Sequence, residues 1–145
     1  MDQSATNFPA PFNAHRFARI LARSQGWFYL ATGAWPLVNG ETFQWVTGFK
    51  ADFWLAQTVG ALLCCSGGVL ILAARFNRLT PEIALLGITQ AIALSAIDVY
   101  TMNLPRTTYI YLIDAVAEAA LVAAWIVTWY FGQNRAGPPQ NFPKG

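Results

Sequence analysis

Residues 54–74 run for 21 positions without a charge, and their later part, GALLCCSGGVLILAA (60–74), carries no polar face at helical spacing. A helix rising 1.5 Å per residue needs ~20 apolar residues to cross hydrocarbon. A helix of a soluble bundle would instead show a polar stripe every third or fourth residue. This stretch belongs in a bilayer. Two more follow it. Glu82 to Met102 holds one acid, Asp98, beyond its first residue, and Thr108 to Phe131 holds two, Asp114 and Glu118.

An earlier apolar segment, Gly26 to Val38, has only 13 residues. A first helix must therefore begin sooner, near Phe17, and take in Arg19 and Arg23, whose side chains snorkel toward a headgroup layer. The sequence predicts an all-α, four-helix transmembrane bundle over residues 17–131, with spans near 17–38, 54–74, 82–102 and 108–131. Polar, Pro-rich tails flank it at 1–16 and 132–145. Neither would fold alone, so a neighbouring protein is their expected clamp. The first tail has no apolar core of a signal peptide, and the first helix reads as retained.

Composition agrees. Charged residues make up 11% of the chain, less than half of the ~25% usual in soluble domains. A net charge of +2 is far too small for a nucleic-acid footprint. Disordered chains, nucleic-acid modules and ordinary soluble enzymes of this length are excluded; the expected partners are membrane lipids.

The placement of the cations sets an orientation. Arg16, Arg19, Arg23, Arg75, Arg78, Arg135 and Lys144 fall on one side of the four expected spans, and Lys50 and Arg106 on the other. With an even number of spans, both termini are expected in the cytoplasm.

The connection from Asn39 to Phe53 is dense in aromatics, with Phe43, Trp45, Phe49 and Phe53, followed by Trp54. Aromatic rings with a polar edge suit the headgroup region. It reads as an interfacial loop between the first two spans, re-entrant or a short amphipathic helix, or as a lid over a lipid-facing pocket. Trp27, Trp35, Trp125 and Trp129 are expected to pack against neighbours or lipids.

Cys64 and Cys65 are adjacent, so on a helix they point ~100° apart and cannot bridge. They sit in a run of small residues with Gly60, Gly67 and Gly68, and Gly60, Cys64 and Gly67 or Gly68 mark a face on which helix backbones approach closely. His15 is the lone histidine, and no haem, zinc or nucleotide signature appears. No intrinsic cofactor or metal is expected; contact with lipid, a quinone or a pigment is compatible with the sequence.

The intramembrane acids carry the chemistry. An ionisable group in hydrocarbon costs at least ~2.5 kcal/mol, so it faces protein or water. Asp98 and Asp114 lie near the same end of consecutive helices, with Arg106 and Lys50 as cations at that level. Glu118 lies one turn deeper than Asp114, where no cation is available; Gln57 and Gln90 are its expected hydrogen-bond partners. Gln90 and Asp98 on one helix, facing Tyr111, Asp114 and Glu118 on the next, would form a polar seam. That seam is either hydrogen-bonded glue or a cavity handling protons.

The order of Gly26, Gly33 and Pro36, then T-G-F-K-A-D-F-W (47–54), T-V-G (58–60), P-E (81–82), A-I-D (96–98) and L-I-D-A-V-A-E (112–118), resembles small four-helix bacterial membrane proteins of the DoxX-like kind. The resemblance covers residues 26–131. It implies a bacterial inner-membrane location and a role as a small companion subunit, and it assigns no catalytic residue. The first functional expectation is a non-catalytic accessory subunit stabilising a larger respiratory or photosynthetic membrane complex. The alternative is a small oxidoreductase subunit or carrier handling a lipophile such as a quinone, its carboxylates relaying protons.

Overall fold

The computed structural model describes residues 14–103 and 109–133, which fold into five helices. These are α1 (Ala14–Val38), α2 (Gly40–Thr47), α3 (Phe53–Arg75), α4 (Pro81–Met102) and α5 (Ile110–Gln133). Three of them are long and apolar enough to cross a membrane: Phe53–Arg75, Pro81–Met102 and Ile110–Tyr130, with mean hydropathies of 1.9, 1.7 and 2.0. Only 17% of each apolar window is buried inside the protein. Such outward apolar surface is stable in lipid and not in water, so the chain is a multi-pass α-helical membrane protein.

This corrects the four-helix bundle expected from the sequence in two places. The aromatic connection between the first two expected spans, for which the sequence leaves a loop, a re-entrant segment and a short helix all open, contains an additional helix, the eight-residue α2. Asn39 starts it, its side chain accepting from the backbone N–H of Thr42 at 3.1 Å, and Glu41 sits favourably in the first turn. Gly48, at φ 89°, stops it in a conformation that favours glycine.

The second correction concerns α1. It has 25 residues, but His15, Arg16, Arg19, Arg23 and Gln25 deny it an unbroken apolar run of membrane length. One face of it is covered by protein, where Leu21, Ala22, Gln25, Gly26, Tyr29, Gly33 and Pro36 form a buried stripe, while the opposite face, with Arg19, Ile20, Arg23 and Trp27, is exposed. With three membrane-length helices in place of four, the even number of spans behind the expected terminus orientation no longer applies.

Glycines set the packing of α1 on α3. The two run antiparallel and touch backbone to backbone at two points, two helical turns apart. A methyl group on Gly26 would lie 2.7 Å from the Gly67 carbonyl oxygen, and one on Gly67 2.6 Å from that of Gly26. Gly33 and Gly60 repeat the arrangement at 2.5 Å in both directions. The Cys64 thiol reaches the Leu30 carbonyl at 3.8 Å, while Cys65 is exposed and both are free. Gly68 differs, since a methyl there meets nothing within 4 Å. Gly68→Ala is therefore expected to leave the fold intact and to raise stability by up to ~1 kcal/mol, as for any open helical glycine. Thermal unfolding in detergent checks this.

The α3–α4 turn closes through Asn77, at φ 56°, with the Arg78 N–H returning to the Ala73 carbonyl at 2.9 Å. Pro81 then opens α4 where its missing N–H is harmless. Helix α4 pairs with α5, and α1 joins this pair to α3 by packing on α5. A cluster of Leu21, Ala22, Ala74 and Trp125, with Phe17, Leu79 and Leu121 against it, fills the end at which α1 begins.

Candidate carboxylate site

A line of polar side chains runs through the middle of the bundle. Its deepest part joins three helices. The Trp125 indole N–H on α5 donates to Gln25 Oε1 on α1 at 2.8 Å. Gln25 Nε2 donates to the Gly87 carbonyl on α4 and to the Tyr29 hydroxyl, each at 2.9 Å. The Tyr29 hydroxyl in turn donates to Glu118 Oε2 on α5 at 3.0 Å. Gln25 and Tyr29 are fully buried, and Glu118 is 1% exposed.

These contacts fix every direction in the line. An indole N–H only donates and a carbonyl only accepts, so Trp125 and Gly87 leave one orientation for the Gln25 amide. Both amide protons are then used, and the single Tyr29 proton is left for Glu118. From Trp125 through Gln25 and Tyr29 the donors run toward the carboxylate, with the second Gln25 amide proton held by the Gly87 carbonyl. Gly87 is glycine because a methyl there would lie 2.9 Å from Gln25 Oε1 and 3.1 Å from Trp125 Nε1. Carboxyl and hydroxyl groups pass protons along such lines; amide and indole groups do not. The line therefore ends, for protons, at Gln25.

Toward the opposite end lie the two aspartates. Asp98, near the end of α4, is 7% exposed, and its Oδ2 has no hydrogen-bond partner among the described residues. Its carboxyl faces that of Asp114, one turn before Glu118 on α5, within hydrogen-bonding reach. Nearby, the Ser95 hydroxyl donates to the Ala115 carbonyl at 3.4 Å, tying α4 to α5.

Lys50 stands at this end of the bundle. Its ammonium donates to the Tyr111 hydroxyl and to the Thr47 carbonyl, the latter at 3.2 Å, and lies 5.0 Å from the centre of the Tyr111 ring. Tyr111 also donates to the Thr47 carbonyl at 3.4 Å, so α5 is clamped to the end of α2. Among the described residues Lys50 makes no ion pair with Asp98 or Asp114. Arg106, the other cation expected here, lies outside the described residues.

The structure thus brings Asp98, Asp114 and Glu118 into one line and sets Tyr111 with Lys50 at its end. It does not bring in the expected glutamines: Gln57 and Gln90 are half-buried and take no part in the Glu118 hydrogen bonds. The partner is Tyr29, on a helix from which the sequence offered no candidate. One signal was present: Gln25 and Tyr29 stand four residues apart, on one face of α1. Trp125 is 4% exposed and faces inward, whereas Trp27 and Trp129 are 60% and 64% exposed. Among the described residues no group of three or more His, Cys, Asp or Glu side chains could hold a metal ion.

No family model matches this chain, and no curated protein or solved structure matches it either. The likeness to DoxX-like proteins is thereby overturned. It rested on short motifs such as A-I-D and T-V-G, which recur among apolar residues without common descent, and its four-helix fold is not the five-helix fold found.

Proposed function

We propose that this membrane protein binds and releases protons at Asp98, Asp114 and Glu118, in the service of a lipophile such as a quinone that meets them from the Lys50 end. The observation that carries this reading is the buried Asp98, with one oxygen unpartnered among the described residues and a second carboxyl beside it. Two carboxylates facing each other make poor glue, since they hold α4 and α5 together only while a proton sits between them. The bundle has neutral glue elsewhere, in Gln25, Trp125 and the Gly87 carbonyl. Intramembrane acids of this kind mark proton or ligand pathways. Because the line ends at Gln25, protons enter and leave at the Lys50 end.

A second reading, an accessory subunit of a larger membrane complex, is favoured by Trp45 on α2 and Phe49 just after it, which are 87% and 88% exposed. Such rings suit a protein partner as well as lipid headgroups. For location, Arg16, Arg19, Arg23, Arg75 and Arg78 gather at one end of the antiparallel α1–α3 pair, with Lys50 at the other. That asymmetry supports an orientation with the arginine end in the cytoplasm.

Purification from the native membrane in mild detergent separates the two readings. Native electrophoresis with mass spectrometry is expected to show the protein alone or as a small homo-oligomer. A lipophile should be bound to it and lost in Asp98→Asn/Asp114→Asn. A stoichiometric assembly with other polypeptides and no bound lipophile would favour the accessory subunit.

A further inference from the structure

We propose that the arginine edge of α1 is a seat for the phosphate of an anionic phospholipid. Arg16, Arg19 and Arg23 follow one another at spacings of three and four, which places them along one edge of the helix. Together with Ile20 and Ser24 they border an open surface groove of about 430 Å³. Arg19 and Arg23 are exposed, and neither has an acidic partner among the described residues.

Depth selects a lipid. Leu21 and Ala22, between these arginines, pack against Ala74 at the end of α3. The groove therefore sits where an apolar span gives way to charge, at the level of lipid headgroups. Arg75 and Arg78 add charge at the same end, where Glu82 is the one acid among the described residues. Guanidinium groups take phosphate oxygens through paired N–H donors, and the Ser24 hydroxyl supplies one more. Ile20, 54% exposed, offers an apolar wall that suits a glycerol or acyl segment and does nothing for a free phosphate ion.

The experiment is native mass spectrometry of the full chain, delipidated and titrated with phosphatidylglycerol, phosphatidylcholine or inorganic phosphate. The wild-type protein is expected to retain phosphatidylglycerol over phosphatidylcholine, and inorganic phosphate should not displace it. Arg19→Gln/Arg23→Gln should weaken phosphatidylglycerol binding roughly tenfold or more, with phosphatidylcholine binding unchanged. Arg19→Lys/Arg23→Lys should fall between, since lysine keeps the charge but not the paired donors. Circular dichroism establishes that each variant is folded, and a variant that is not is replaced by the single substitutions. Equal retention of the two lipids by the wild type, unchanged preference in the folded Gln variant, or displacement by inorganic phosphate would each overturn the proposal.

Discussion

Gly67→Ala is expected to unlatch α1 from α3. The added methyl would lie 2.6 Å from the Gly26 carbonyl oxygen and 3.1 Å from the Leu30 nitrogen. Both are backbone atoms within a helix, so neither can swing aside as a side chain would. Overpacking of this kind costs about 1–3 kcal/mol, and Gly60→Ala, at 2.5 Å from the Gly33 carbonyl, carries a similar penalty. In the double variant the two points of backbone contact are lost together. The effect spreads to the carboxylate line, because α1 carries Gln25 and Tyr29. Cys64, half-buried against Leu30, provides the readout, with the exposed Cys65 as internal reference. A small membrane-permeant thiol reagent should label Cys64 much faster, relative to Cys65, in Gly60→Ala/Gly67→Ala than in the wild type. An unchanged ratio would mean that the helices shift to accommodate the methyl groups.

The second large effect is at Glu118, where two substitutions are expected to part company. Glu118→Gln keeps an oxygen to accept the Tyr29 hydroxyl proton, so its thermal unfolding in detergent should stay close to that of the wild type. It cannot take up a proton, so every function that needs Glu118 as an acid should be lost. Glu118→Leu removes the acceptor and strands the buried Tyr29 hydroxyl. An unsatisfied buried group of this kind costs about 1–3 kcal/mol. A polar seam serving as glue alone would show no such split in Glu118→Gln, which would keep both stability and function.

The three membrane-length helices were legible in the sequence because each is an unbroken apolar run, and such runs have few other ways to fold. Helix α1 was not legible as what it is. Its arginines and Gln25 spoil the apolar pattern, and its place depends on contacts with α3 far along the chain, set by Gly26 and Gly33. Those two glycines were visible only as letters of a motif. The short α2 helix left clear marks in Asn39, Glu41 and Gly48, but eight residues are too few for periodicity to settle. In the site, the approach of Asp98 to Asp114 follows from two helices joined by a short connection. The Tyr29 partner of Glu118 follows from the docking of α1 on α5, which spacing within α4 and α5 cannot reveal.

The most direct test is an infrared difference spectrum of the reconstituted protein between acid and alkaline buffer. Buried carboxylic acids show a carbonyl stretch that vanishes when the proton leaves. The expected result is a band that appears on acidification, shrinks in Glu118→Gln and shrinks further in Asp98→Asn/Asp114→Asn. A folded wild-type protein with no carboxyl band sensitive to buffer pH, or a band unaffected by these substitutions, would contradict proton binding at Asp98, Asp114 and Glu118.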